Sequence, residues 1–209
     1  MAVVTDFPSI ALSRELKEHT AQAHESLDQR IMALRPFADE RRYVRFLRMQ
    51  LRLHHATAAL YGEPGLLAWL PCLADGNRLE AVVADCADFN VSEAEYRRDR
   101  AAARTVRIPT TPAALGWLYV QEGSRLGAAV LRRQVRRELG LSDVFGARHL
   151  AGPADGRARH WQRFREALDA IDLTIGERGM AAEGAAAAFA FVRESVEELL
   201  ADGRAVDTA

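Results

Sequence analysis

A chain of 209 residues suits a single domain and can bury roughly 70% of its unfolded surface, enough for a core with an internal ligand pocket. Its 28 lysines and arginines nearly balance 29 acids, for a net charge of −1, so no overall field favours nucleic acid or an anionic membrane. Only Cys72 and Cys86 occur, without zinc-knuckle or disulfide spacing, and neither a basic, apolar leader nor a run of ~20 apolar residues is present. These features predict a reduced, cytoplasmic monomer with no membrane span.

A 3.6-residue apolar period recurs along the chain and no convincing period-2 run of β-branched residues does, which predicts one all-α domain over residues 1–209, with flexible ends at 1–8 and 204–209. The first helix opens near Ser9 or Ser13, either of which can cap it. Leu12, Leu16, Thr20, Ala23, His24 and Leu27 share one stripe, so His24 is expected to face inward, while His19 falls off it. His24 is therefore either a ligand or a core histidine satisfied by a carbonyl. Lys17 lies two turns earlier, roughly 10 Å away on nearly the same face.

Pro36 to Asp39 reads as a turn and N-cap, opening a helix that runs to Tyr61. It places Gln50 and His54 four residues apart beside Tyr43, Phe46, Leu47 and Leu53, where two polar groups need partners or ordered water. A short helix over 66–70 is broken by Pro71, another spans 78–88, and the polar stretch through Arg107 is expected to connect without carrying chemistry.

A long helix from Pro112 to Leu139 contains Gly116, Gly123 and Gly127. Each interior glycine costs roughly 1 kcal/mol relative to alanine, so something must approach that backbone: a neighbouring helix, or a flat ligand. Arg132, Arg133, Arg136 and Arg137 end the helix on exposed faces, where they complement its dipole or dock an acidic partner. After a loop over 142–160, a helix from about Asp155 carries Trp161, Phe164, Leu168 and Ile171. Thr174 and Glu177 form a capping box for the last helix, which presents Phe189, Phe191, Val192 and Leu199 and ends at Asp202-Gly203.

Several ordered stretches together resemble the haem oxygenase family, in its bacterial, Neisseria-type branch. They are Lys17-Glu-His-Thr-Ala-Gln-Ala-His24, Arg35-Pro-Phe37, Gly116-Trp-Leu-Tyr-Val-Gln-Glu-Gly-Ser-Arg-Leu-Gly-Ala-Ala129, Gly146 to Leu150, Asp155 to Trp161, and Ala188 to Phe191. The resemblance covers nearly the whole chain. It implies a helical fold in which haem (iron protoporphyrin IX), both cofactor and substrate, is sandwiched between the first helix and the glycine-bearing distal helix.

Residue by residue, the resemblance implies that His24 is the iron ligand and that the Gly123 and Gly127 backbone approaches the ring, with Ser124 between them. It implies Lys17 at a propionate, Phe189 and Tyr119 at the pocket, and Gln50 and His54 ordering distal water. The implied reaction opens haem to biliverdin, releasing ferrous iron and carbon monoxide, with O2 and electrons from an external reductase or ferredoxin; no Gly-x-Gly-x-x-Gly nucleotide fingerprint is present. Two departures stand out: Ser124 replaces an aspartate of the mammalian-type relatives, and Val192 replaces a propionate-binding tyrosine. They leave open a carrier or sensor that binds haem without degrading it.

Overall fold

Helices account for the fold, as the 3.6-residue pattern predicts. The computed structural model describes residues 10–153 and 156–201. Eight α-helices follow one another: α1 (Leu12–Ala33), α2 (Glu40–Thr57), α3 (Pro64–Trp69), α4 (Leu79–Asp88), α5 (Glu93–Arg104), α6 (Thr111–Leu139), α7 (Arg157–Asp169) and α8 (Ile175–Val196). Among the described residues no strand forms, only isolated bridges from Ser142 to Phe145 and Gly146. Ser9, Asp155, Asp202, Gly203 and both ends expected to be flexible lie outside the described residues.

Most caps are those the sequence predicts. Asp39 accepts from the Arg42 N–H to open α2, Pro71 ends α3, and Thr174 and Glu177 close a capping box on α8. The start of α1 differs. Ala11 is its N-cap, and Ser13 lies inside the first turn, where its N–H and hydroxyl both donate to the Asp169 carboxylate at 2.7 and 2.8 Å. An acid from the end of α7 thus does the capping, satisfying a first-turn N–H and placing negative charge at the positive helix end.

Two further corrections concern the middle of the chain. The α2 helix stops at Thr57 and tightens into a 3₁₀ segment over Ala58–Gly62, where a continuous helix to Tyr61 was predicted. The polar stretch before Arg107 contains α5, opened by a reciprocal capping box between Ser92 and Glu95. Its Asp99, fully buried, takes Arg48 (2.7 Å) and Arg52 (2.8 Å) from α2, and Arg52 also reaches Glu198 (2.6 Å) in the π-helical turn Glu197–Ala201 after α8.

The core is built on α2, whose Tyr43, Phe46, Leu47, Met49 and Leu51 are buried, with α4, α5, α6 and α8 packed around it. Helices α6 and α8 lie against each other over much of their length, and glycine allows it. A methyl group on Gly116 would stand 2.0 Å from the Ala181 carbonyl oxygen, and one on Gly184 would stand 2.2 Å from that of Ala113. Both α1 and α6 rest on α8 and α7, but they barely touch one another. The two helices the sequence singles out are therefore held apart on a shared base.

Candidate functional site

The three glycines of α6 divide into two kinds. Gly116 is buried in the α8 contact, whereas a methyl on Gly127 would meet nothing within 4 Å, and one on Gly123 would meet only the Trp161 ring, at 3.5 Å. Helix packing therefore explains Gly116 but not Gly127. Tyr119, one turn before Gly123, packs on the same Trp161 ring with centroids 5.5 Å apart, so Trp161 walls this face of α6.

On α1, His24 is exposed, not inward as its stripe predicts. It lies at the margin of that stripe, between half-buried Ala23 and buried Leu27, where no helix covers it. Its ring meets Phe189 of α8 edge-on at 5.8 Å, and its Nδ1 lies 3.4 Å from the Asp28 carboxylate. Lys17 is exposed further up the same helix, and Phe189 is buried at 8% exposure beneath His24. Among the described residues, no side-chain hydrogen bond, ion pair or ring contact joins Lys17, His24 and Phe189 to Tyr119, Gly123 and Gly127. The first set lies on α1 and α8 and the second on α6, and α1 and α6 make few contacts with each other.

Of Gln50 and His54 on α2, His54 meets α6. His54 is buried, and the Gln121 side-chain nitrogen lies 3.2 Å from its Nε2 and 3.5 Å from its Nδ1. Burial, then the positive charges of His149, Arg125 and Arg78, push its pKa down to about 3. Gln50, one turn earlier, is half-buried. Ser124 is exposed, and its hydroxyl donates to the Gln121 carbonyl at 2.7 Å, so that proton is committed to the helix's own backbone. Val192 is in the core at 6% exposure and offers nothing polar to an anionic group.

Sequence reasoning missed a cluster next to this pair. Glu122, 1% exposed, accepts from the Tyr61 hydroxyl (2.6 Å), His160 Nε2–H (2.6 Å) and Arg125 Nη1–H (2.7 Å). Arg125 Nη1 also stands 3.3 Å from His160 Nε2, two donors sharing one carboxylate oxygen. Burial alone would raise the Glu122 pKa, but the His160 bond, the Arg125 charge and the Tyr61 bond outweigh it and hold the group below its ordinary value. The available signal was Gln121-Glu122 amid the apolar turns of α6, polar residues that a buried helix can carry only with partners. Nearby, His149 donates through Nδ1 to Asp85 at 2.8 Å.

Haem suits these residues. Among the described residues, Gly127 presents bare backbone that no neighbouring element packs against, and the buried polar atoms Gln121 Oε1, Arg125 Nη2, His149 Nε2 and Arg78 Nε have no partner. Such atoms are the ones that ordered water satisfies. The heme oxygenase family model matches residues 10–198.

The chain belongs to the heme oxygenase family.

Its relatives agree. Heme oxygenase PigA of Pseudomonas aeruginosa is 37% identical over 177 residues, covering 85% of this chain and 87% of that protein. The NO- and CO-bound heme oxygenase of Neisseria meningitidis superposes with a TM-score of 0.81 at 32% identity, over 92% of this chain and 94% of that one. Heme oxygenase-1 of the cyanobacterium Synechocystis, in complex with heme, shares the fold at 17% identity, with a TM-score of 0.73 over 95% and 96% of the two chains. The heme oxygenase fold is thus the one that sets α1 and α6 on a common base.

Proposed function

We propose that this protein is a haem oxygenase that opens haem to biliverdin with release of ferrous iron and carbon monoxide, in the cytoplasm, using O2 and electrons from a separate donor protein. The observation that carries the site assignment is the pairing of an uncovered histidine on α1 with the bare Gly127 backbone on α6. When bound, haem supplies a redox iron that takes O2, and its own macrocycle is what is oxidised.

The residues then have separate tasks. His24 would hold the iron through Nε2, because Nδ1 lies 3.4 Å from the Asp28 carboxylate, a contact that orients a ligating imidazole. The backbone of Gly123 and Gly127 would lie against the ring, with Tyr119 one turn before Gly123 and Phe189 packed on the histidine. Lys17 would meet a propionate. No strong acid stands on the distal side: His54 is neutral at physiological pH, and the Ser124 proton is used within the helix. Protons would come through water held by Gln50, His54 and the free Gln121 Oε1.

An absorption time course tests both parts. Protein loaded with stoichiometric haem and given ascorbate in air should lose its Soret band as a bilin absorption grows, and His24→Ala should fail to form the normal ferric complex. A Soret band that persists in the wild type would leave a haem carrier instead. A normal ferric complex in His24→Ala would remove that residue from the iron.

A further inference from the structure

Glu122 lies between Gln121, which reaches His54, and Gly123, where bare backbone begins. Its carboxylate gathers donors from three places: Tyr61 in the 3₁₀ segment after α2, His160 in the first turn of α7, and Arg125 one turn on along α6. Bonds arriving from two different elements fix the rotation of α6 about its own axis at this point. Over the next turn little else does so, because Gly123 has no side chain and Ser124, Leu126 and Gly127 are exposed; burial resumes only at Ala128. An apolar side chain here would pack without choosing a direction, and burying a carboxylate is costly unless its bonds are well made. The cluster therefore serves alignment more than stability.

We propose that Glu122 is a positioning residue that sets the rotation of the 123–127 segment and thereby decides which edge of the haem macrocycle is oxidised. This rests on the haem oxygenase reading. Glu122 acts through Tyr61 and His160 and reaches the ring only through the backbone it aligns.

The experiment compares wild type, Glu122→Gln, Tyr61→Phe, His160→Leu and His160→Gln. Two quantities are measured: the biliverdin isomers after complete turnover, separated by chromatography, and amide hydrogen exchange over 123–130 in the haem-free protein. Tyr61→Phe and His160→Leu should raise the share of minor isomers about tenfold, the scale of one lost bond to an ionised group, and speed exchange in that segment. His160→Gln, whose side-chain N–H can replace Nε2–H, should return both towards wild type. Glu122→Gln should show the larger change; if it does not fold, the single-bond variants decide. An isomer distribution unchanged in folded variants overturns the proposal, whether or not exchange has quickened. A wild type that leaves haem intact removes the functional reading and the edge selection with it, while the exchange measurement still reports whether Glu122 pins the helix.

Discussion

His54 is where the protein's acid sensitivity is most exposed at the level of one residue. Its pKa is about 3 in the folded chain and about 6.5 in the unfolded one. Between those values the unfolded chain binds a proton that the folded chain refuses, so the contribution is complete above about pH 6.5 and is lost as pH falls towards about 3. The loss is about 1.4 kcal/mol per pH unit across that window. Urea unfolding at a series of pH values should show this slope, and His54→Gln should remove about one proton's worth of it. An unchanged slope would mean that the folded protein accommodates the charged imidazole. Glu122 and Asp85 act in a lower window: their pKa values are depressed, so their contributions are present above about pH 4.5 for Glu122 and about 3.8 for Asp85, and disappear as pH falls through the folded values.

Along a single element, α6 sets two requirements side by side. In its first half, Gly116 faces α8 so closely that Gly116→Ala must push backbone apart, at a cost of about 1–3 kcal/mol or more. In its second half, Gly127→Ala meets nothing and should stabilise the haem-free protein by up to about 1 kcal/mol through helix propensity, while slowing haem turnover. Thermal unfolding paired with the haem assay checks both, and a destabilised Gly127→Ala would show that the segment is packed after all. The sequence showed that these glycines need an explanation but could not divide them, because the division depends on which face α8 covers. Caps at Asp39 and Thr174 were legible because their bonds are local. Helix α5 carried an equally local Ser92-x-x-Glu95 signature, hidden within a polar stretch read as a connection. His24 and Glu122 were not legible in the same way: the exposure of one and the partners of the other depend on residues distant in the chain.

Over the whole molecule, balanced charge conceals an uneven surface. At the end of α6, Arg132 is paired with Asp143 and Arg137 with Glu138, while Arg133 and Arg136 have no acidic partner among the described residues. We infer that this end receives an acidic electron donor. Arg133→Glu with Arg136→Glu should slow turnover driven by a reductase or ferredoxin about tenfold, most at low salt, and leave ascorbate-driven turnover unchanged. Equal rates with the protein donor would move the docking site elsewhere.

The ties of α1 come from far along the chain. Ser13 is capped by Asp169, Glu15 is paired with Arg178, Arg193 donates to Ser26, and Glu197 holds Arg30 at 2.5 Å. Every one of these partners is synthesised more than a hundred and fifty residues after its target, so a growing chain carries α1 without the contacts that seat it. The helix bearing His24 is therefore seated only once α7, α8 and the turn that follows them have been made.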